Sequence, residues 1–422
     1  MKFVLASYGT RGDVEPCVAV GRELLRRGHD VQMAVPPELL AFTRDAGLPA
    51  VAYGPEMGPW LDVNRAFWTF LFRNFWKVPA LIKLWHELWE PVTQCRVQMI
   101  ATLKSLADGA DLLLTGLAFE EAAANVAEYL DLPLATLHYF PIRAHGRLLP
   151  FLPPPVTRSA MSVFWWLSWL VAKKAENEQR RELGLPNATS PAARRITQRG
   201  SLEIQAYDPL LFPGLEAEWA KWNGQRPFVG ALAMELPTAD DEDALSWIAS
   251  GKPPIFFGFG SFMVESPTET ITMIGEACAQ LGERALVGAG WTDFSEVPQF
   301  EHLKVVGAVN YAAIFPACRA VVHHGGAGTT ALGLRAGVPQ LILSTLPDQP
   351  FWGAQVKRLK VGTTRRLSTT TQETLVADLR RILSPQVVAK ARHVAAETTQ
   401  PADGIATTAD LVENFARSKC SG

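Results

Sequence analysis

The chain has 422 residues, a length that predicts two or three domains with a sizeable core. Its 40 basic and 42 acidic residues nearly balance, which argues against a nucleic-acid-binding protein, and a hydrophobic content of 48% excludes wholesale disorder. The cysteines are scattered and lack metal-type spacing, so we predict neither a disulfide scaffold nor a zinc site, and a reducing cytoplasm as the location. They are Cys17, Cys95, Cys278, Cys318 and Cys420.

The first half of the chain predicts a doubly wound α/β domain. Residues 2–36 give a strand, a glycine turn, a helix and a second strand, which form one βαβ unit. Two further strands, at 111–115 and 133–139, flank a helix over 120–129. Their continuous apolar character is typical of parallel strands that are buried on both faces.

A second α/β series begins near Phe228. Its apolar strand candidates alternate with helical stretches and fall at 254–257, 283–290, 302–309, 317–324 and 338–345. The pattern weakens around 214–226, where Gly, Pro, Trp and charged residues collect. We therefore predict one domain over 1–220 and another over 221–400, followed by a closing helix within 401–422.

Eight of the 13 tryptophans fall in two segments of the first half. Two interpretations remain open: these side chains are core, or they line a wide apolar cleft or a membrane-contacting lip. The oiliest stretch, 161–172, is well short of the roughly 20 residues that span a bilayer, and the first apolar run, 3–6, is too short for the core of a signal peptide. The eight are Trp60, Trp68, Trp76, Trp85, Trp89, Trp165, Trp166 and Trp169.

The strongest motif is HHGGAGTT, residues 323–330, which lies between a strand and a helix. Its three glycines let the backbone approach a ligand, and the N–H groups at the helix start, with the hydroxyls of Thr329 and Thr330, form an anion site. His324 adds a donor or a positive charge at the entrance. The motif predicts a diphosphate site; the alternative is a glycine turn that only allows close helix packing.

A second glycine turn, 258–261, places Ser261 at another junction between a strand and a helix. Both turns follow the carboxyl ends of parallel strands, where open α/β sheets bind ligands, so we expect them to grip the same diphosphate. The first motif has neither the lysine nor the spacing of a Walker loop, which disfavours kinase or ATPase chemistry.

The first turn of the chain, 9–13, introduces a helix with Pro16 in its first turn. Asp13 has two roles open to it: the N-cap of that helix, or a chemical role at the ligand edge of the sheet. A dinucleotide site is disfavoured, because no acidic residue ends the second strand.

Asp348 and Gln349 follow a strand near its carboxyl end and offer an acceptor and an amide. That pair matches recognition of neighbouring sugar hydroxyls, and an ordinary loop is the alternative. Asp241 and Asp243 have the D-x-D spacing used to hold a metal with a nucleotide sugar, but we favour a solvated helix start.

Together these residues resemble family 1 glycosyltransferases with the GT-B fold, in which two facing Rossmann-like α/β domains enclose a cleft. GTRGDVEP resembles the opening of bacterial antibiotic and sterol glycosyltransferases, whose matching Asp is the proposed base. HHGGAGTT and DQP resemble that family's diphosphate and sugar motifs. Longer runs, including LEIQAYDPLLFPGL and VVHHGGAGTTALGLRAGVP, are most similar to mycobacterial glycosyltransferases of the glycopeptidolipid type.

The resemblance implies an acceptor-binding N-terminal domain, a nucleotide-sugar-binding C-terminal domain, and a closing helix that crosses back to the first. It makes Asp13 the catalytic base, in a loop with Thr10, Arg11 and Gly12. The other expected site residues are Ser261, His324, Gly326, Gly328, Thr329 and Thr330 at the diphosphate; Trp291, Val306 and Asn310 at the base and ribose; Asp348 and Gln349 at the sugar; and Trp68, Phe72, His138 and Tyr139 at the acceptor.

The implied reaction is an inverting, metal-independent transfer from a TDP-linked deoxyhexose, or from UDP-glucose, to a hydroxyl of a lipophilic or amphipathic acceptor. The sugar nucleotide is a co-substrate, and no cofactor is expected. Two alternatives remain: a small acceptor such as a macrolide, sterol or phenolic, and a non-enzymatic lipid-binding protein with a vestigial cleft. We expect a cytoplasmic protein with possible peripheral contact with the membrane.

Overall fold

The computed structural model describes residues 1–58, 60, 63, 66–67, 70, 74, 76–148, 152–222, 224–260, 266–290, 292–346 and 348–420. The chain forms two compact units. The first comprises Met1–Leu232 and Pro401–Gly422, and the second comprises Ala233–Gln400.

The first unit is built on a six-stranded parallel sheet of order β3–β2–β1–β4–β5–β6, which is the Rossmann order. Its strands are β1 (Lys2–Ala6), β2 (Asp30–Val35), β3 (Ala50–Ala52), β4 (Leu112–Thr115), β5 (Leu134–His138) and β6 (Leu202–Gln205). Its helices before the second unit are α1 (Arg11–Arg26), α2 (Leu40–Asp45), α3 (Val78–Ala107), α4 (Glu120–Tyr129), α5 (Pro154–Glu182), α6 (Ala192–Gln198) and α7 (Leu215–Trp219). Apolar residues of β1 and β4 pack in the core with Leu103 of α3 and Val126 of α4.

The second unit repeats this plan with the sheet order β12–β11–β10–β7–β8–β9. Its strands are β7 (Ile255–Gly258), β8 (Ala285–Gly288), β9 (Leu303–Val306), β10 (Ala320–His323), β11 (Gln340–Ser344) and β12 (Gly362–Arg366). Its helices are α8 (Asp241–Ala249), α9 (Pro267–Leu281), α10 (Tyr311–Ile314), α11 (Ala327–Arg335), α12 (Gln349–Arg358), α13 (Gln372–Ile382) and α14 (Pro385–Ala395). Separate apolar clusters cover the two faces of the sheet.

Both sheets have a point at which the strand order reverses. In the first sheet it lies between β1 and β4, and in the second between β7 and β10. Ligands of open α/β sheets bind outside the carboxyl ends of the strands at such points. The three glycine turns singled out in the sequence follow β1, β7 and β10, so the topology puts each of them at a reversal point.

The last helix, α15 (Pro401–Cys420), belongs to the first unit, where it packs against α1. Its Ala409, Val412 and Ala416 are completely buried. Arg27, at the end of α1, lies 2.6 Å from the Asp410 carboxylate. Apolar contact and this ion pair together hold the helix on the unit that begins the chain.

The boundary between the units falls after Leu232, about a dozen residues beyond the predicted one. The reason is a segment that runs parallel to β6, with the N–H of Gln205 donating to the carbonyl of Pro227 at 2.8 Å and the N–H of Val229 to that of Gln205 at 3.0 Å. The segment extends the first sheet, so these residues belong to the first unit and not to the second domain predicted from residue 221 onward.

Candidate functional site

The Asp13 carboxylate lies at the start of α1, just beyond the carboxyl end of β1. The backbone N–H of Thr10 donates to Asp13 Oδ2 at 2.6 Å, and its hydroxyl donates to the same oxygen at 2.9 Å. Thr10 is therefore the N-cap, and Asp13 is the third helical residue, reaching back as in a capping box. The alternative role of Asp13 as the N-cap is therefore excluded, and the prediction that Pro16 lies in the first turn is wrong, because the helix begins at Arg11.

A glycine is required beside this carboxylate. Gly9 has a φ of +131°, a region that favours glycine, and a Cβ built on it would lie 2.3 Å from Asp13 Oδ2. The next two residues of the loop are not bonded to this carboxylate in the same way. Arg11 forms an ion pair with Glu15 at 3.0 Å, and Gly12 is exposed to solvent. The backbone of this turn therefore fixes where the carboxylate stands.

Tyr139, which follows β5, donates a side-chain hydrogen bond to Asp13. Burial raises the pKa of Asp13, while the hydrogen bonds from Tyr139 and Thr10 lower it and so offset part of that rise. The result is a carboxyl group more basic than an exposed aspartate. That is the direction a general base for an alcohol requires.

His138 belongs to a buried ion network behind Tyr139. Its Nε2 contacts the Glu120 carboxylate, and Arg143 Nη1 lies 2.9 Å from the other oxygen of Glu120. Burial opposes the charge of Glu120, but Arg143 and His138 lower its pKa to about 2. Arg143 also contacts Glu203 of β6. His138 is completely buried, so its surface does not reach solvent. Its role at an acceptor stays a prediction.

Aromatic side chains line the same edge of the sheet. The Tyr8 ring lies 4.8 Å from Phe119 and 6.1 Å from Trp60, and its hydroxyl donates to the carbonyl of Pro55 at 3.1 Å. Tyr8 directly precedes the Gly9 turn, so this cluster is continuous with the loop that holds Asp13. The predicted acceptor residues Trp68 and Phe72 lie outside the described residues.

In the second unit, His323 ends β10 and is buried. Its Nδ1 accepts the backbone N–H of Gly325 at 3.1 Å, so its Nε2 carries the proton that is donated to Gln340 Oε1 at 2.9 Å. Burial, and then the neighbouring His324, lower the pKa of His323 to about 3. This neutral histidine therefore holds the glycine turn in place through its two hydrogen bonds, a role that was not predicted from the sequence.

His324 is enclosed by glycines. A Cβ on Gly260 would lie 2.5 Å from the His324 ring, and one on Gly326 would lie 2.6 Å from its Nε2. Burial lowers the pKa of His324 to about 4, although a hydrogen bond to the backbone of Gly258 raises it and offsets part of that effect. The ring is therefore neutral near pH 7, so before a ligand binds it offers a donor and not the positive charge that the sequence allowed.

The helix α11 starts directly after these histidines, with Gly326 as N-cap. As in any α-helix, the first N–H groups lack intrahelical partners, and here they belong to Ala327, Gly328 and Thr329. A Cβ on Gly328 would meet open space, so ligand access there is not blocked by neighbouring atoms. Thr330 is different: it is buried, and its hydroxyl donates to the carbonyl of Gly326 at 2.8 Å.

The turns after β7, β8 and β10 converge on one place. Gly260, in the turn after β7, packs against His324, and a Cβ on Gly290, after β8, would lie 2.3 Å from the carbonyl oxygen of Gly260. The turns after β7 and β10 therefore lie side by side, as expected from the sequence. Ser261 and Trp291, the side chains that follow these glycines, lie outside the described residues.

The residues predicted at the nucleotide base lie beyond β9. Val306 is buried, and Asn310 caps α10 by accepting the N–H of Ala312 at 3.1 Å. Asp241 accepts the backbone N–H of Asn310 at 2.7 Å, and Asp243 pairs with Lys304. The D-x-D pair therefore links the first turn of α8 to β9 and to the start of α10. Among the residues that the structure describes, no group of three or more His, Cys, Asp or Glu side chains is placed to hold a metal ion.

The predicted sugar pair divides into an exposed and a buried residue. Asp348 is exposed at the start of α12. Gln349 is buried, and its Oε1 accepts the N–H of Thr345 at 2.6 Å and that of Leu346 at 2.8 Å. The amide oxygen of Gln349 therefore shapes the turn before α12, which leaves its amide nitrogen as the group available to a ligand.

Two family models match the chain. Residues 3–109 match the glycosyltransferase family 28 N-terminal domain, and residues 268–410 match the erythromycin biosynthesis protein CIII-like C-terminal domain. An uncharacterized glycosyltransferase of Mycobacterium leprae is 54% identical over 99% of this chain and 97% of its own length. One of Mycobacterium tuberculosis is 55% identical over 99% of each chain. A sterol 3-beta-glucosyltransferase of Arabidopsis thaliana is 28% identical over 97% of this chain and 67% of its own.

Solved structures share the fold at low sequence identity. The glycotransferase of kitacinnamycin superposes with a TM-score of 0.71 at 17% identity, over 98% of each chain. The glycosyltransferase VinC, solved in complex with dTDP, has a TM-score of 0.66 at 18% identity over 99% of this chain and 100% of its own. With the two Rossmann-like sheets, this likeness confirms the α/β GT-B fold predicted from the sequence.

Proposed function

The chain belongs to the glycosyltransferase family of these mycobacterial proteins, and from that premise we propose that it moves a hexose or deoxyhexose from a TDP- or UDP-linked donor to a hydroxyl of a lipophilic acceptor. One observation carries the donor half of the proposal. The turns after β7, β8 and β10 converge on the start of α11, where helix N–H groups and the neutral ring of His324 can meet a diphosphate. The dTDP bound to VinC supports a thymidine nucleotide.

The proposed chemistry is a single displacement. The Asp13 carboxylate takes the proton of the acceptor hydroxyl as its oxygen attacks the anomeric carbon, and the bond from that carbon to the diphosphate oxygen breaks. The configuration at the anomeric carbon inverts, because attack and departure occur on opposite faces. The N–H groups of α11 and the ring of His324 receive the charge of the leaving diphosphate, so the proposal requires no metal ion.

The acceptor that we propose is amphipathic, such as a precursor of a glycopeptidolipid. The half-buried Trp60, which packs on the core residues Tyr8 and Phe119 next to the Gly9 turn, supports an acceptor with an apolar body and one reactive hydroxyl. A small natural product is the second candidate, favoured by the match to the erythromycin-type domain and by the sterol glucosyltransferase among the relatives. Because the chain is a glycosyltransferase by family, the lipid-binding alternative without transfer has no support of its own.

The test is a matrix of donors and acceptors read by mass spectrometry. Purified protein is incubated with TDP- and UDP-linked hexoses and deoxyhexoses, each against mycobacterial lipopeptides, sterols, macrolides and phenolics, and the Asp13→Asn variant serves as the control. A glycosylated lipopeptide formed by the wild type and not by the variant supports the proposal. Products only on small acceptors favour the second candidate, and transfer by the variant at the wild-type rate removes Asp13 from the chemistry.

A further inference from the structure

Helix α5 presents an unusual outer face. Seven large apolar side chains on this one helix are between 42% and 64% exposed. They include Phe164 and Trp166, both at least half exposed, in the middle of the helix. The set is Val156, Val163, Phe164, Trp166, Leu167, Leu170 and Val171. Large apolar surface left open on a folded protein marks a binding site more often than chance.

The exposed side chains form one continuous face, here called the α5 face. At about 100° per residue they fall within an arc of about 160°, and they extend over about 22 Å of helix. The opposite arc is held inside the unit: Trp169 donates its indole N–H to Glu176 at 2.8 Å, and Arg180 pairs with Glu128 at 2.8 Å. The inner arc thus carries the buried Trp169 together with ion-paired side chains, and the outer arc carries exposed apolar side chains where an ordinary surface helix has polar ones.

The apolar part of helix α5 carries no acidic side chain, whereas its last turns do. From residue 157 to residue 175 the helix carries Arg158, Lys173 and Lys174 and no acidic residue. Lys174 is exposed and continues the same face one turn beyond Val171. Arg158 forms an ion pair with Glu218 at 2.8 Å. The last turns of the helix, 176–182, carry three acidic and two basic residues. On the α5 face itself the basic group next to the apolar stretch is therefore Lys174, and the exposed Glu178 follows it one turn later.

We propose that the α5 face binds the surface of an anionic bilayer, with the helix lying in the plane of the interface. Apolar side chains enter the boundary between headgroups and acyl chains, where Phe164 and Trp166 are well suited, and Lys174 meets lipid phosphates. Charge supports this occupant, because the exposed Lys174 ends the apolar stretch and no acidic residue lies between residues 157 and 175 of the helix. In the described part of the chain, no helix has the length and apolar character needed to cross a membrane.

This inference does not depend on the sugar transfer, and its test uses no sugar nucleotide. The full-length protein is floated with vesicles of phosphatidylcholine, or of an equal mixture of phosphatidylcholine and phosphatidylglycerol. Wild-type protein is expected to float with the anionic vesicles and less with the neutral ones. A triple variant, Val163→Ser with Leu167→Ser and Val171→Ser, is expected to bind about tenfold more weakly or worse, since each side chain enters the apolar layer.

The matched control removes three exposed apolar side chains elsewhere, with Leu25→Ser, Val51→Ser and Leu245→Ser. It is expected to float like the wild type, and unchanged melting temperatures show that all proteins are folded. Lys174→Glu is expected to weaken binding to the anionic vesicles about fivefold or more. Absence of wild-type flotation, or equal flotation by the α5 triple variant, overturns the proposal. So does a wild-type dimer that the triple variant converts to a monomer, because a second copy then covers the face.

Discussion

The side chain of Tyr139 donates a hydrogen bond to the carboxylate of Asp13, although 126 positions separate the two in the chain. The bond links the loop after β5 to the turn after β1. Because His138 is anchored by Glu120 and Arg143, Tyr139 is held from behind by charged groups that are themselves buried. Asp13 is thus positioned from two sides, by its own helix start and by a neighbouring loop.

Replacing Tyr139 with Phe should shift the pH dependence of transfer. The hydrogen bond lowers the pKa of Asp13, so its loss raises that pKa further. The reaction needs the carboxylate, and the acid limb of the profile of kcat/KM against pH is therefore expected to move to higher pH. Tyr129→Phe, which changes an exposed tyrosine on α4, is the control. An unmoved acid limb, or one moved to lower pH, contradicts the assignment.

Replacing Asp13 with Asn should abolish most of the turnover without unfolding the protein. The amide keeps an acceptor oxygen for the N–H of Thr10 but cannot take a proton, and general base catalysis contributes about 100- to 10,000-fold. The expected result is a loss of turnover in that range with donor binding intact. Steady-state kinetics and nucleotide titration measure the two quantities, and near-normal turnover at neutral pH excludes Asp13 as the base.

Gly9→Ala should damage the reaction more than it damages the fold. A methyl group there collides with the Asp13 carboxylate, whereas Gly28, which also has a positive φ, has nothing within 4 Å. Gly28→Ala costs about 1–2 kcal/mol through the backbone alone, and Gly9→Ala costs more because of the collision. Both variants should therefore have lower melting temperatures, and only the Gly9 variant should lose most of its turnover at a temperature where both are folded. Equal turnover in the two variants argues against a fixed carboxylate.

Substitutions of the two adjacent histidines should have different effects, with His323→Ala lowering mainly the stability and His324→Ala lowering mainly the turnover. His323→Ala removes the partners of Gly325 and Gln340 in a buried site, which costs about 1–3 kcal/mol and lowers the melting temperature. His324→Ala removes a donor at the proposed leaving group, which costs about 100- to 1,000-fold in turnover. Calorimetry and kinetics on both variants test this division. A larger turnover loss for His323 at unchanged stability reverses the assignment.

The sequence predicted the central strands of both sheets and missed three at the sheet edges, β3, β6 and β12. Central strands are covered on both faces and are apolar throughout, whereas β12 has the sequence GTTRR and gives no such signal. The domain boundary was misplaced for a related reason. Residues near Phe228 join the first sheet through backbone hydrogen bonds, which side-chain patterns do not reveal.

The turns of the candidate site were predictable, and their contacts were not. Glycine clusters after strands located the turns, and the Thr-x-x-Asp spacing of Thr10 and Asp13 would have revealed the capping box. The Tyr139 contact and the role of His323 in holding the glycine turn depend on which loops the folded sheet brings together. The direction of the α5 face was equally hidden, because a periodic apolar stripe does not say on which side the protein lies.

The central claim is that the start of α11 binds the diphosphate of a uridine or thymidine nucleotide, and thermal shift tests it most directly. The full-length protein is melted with UDP, TDP, GDP or NAD, because a ligand that binds only the folded state raises the melting temperature. We predict a rise of about 2 °C or more with TDP or UDP, none with GDP or NAD, and a smaller rise in His324→Ala. No rise with either pyrimidine nucleotide, or an equal rise with NAD, contradicts the account.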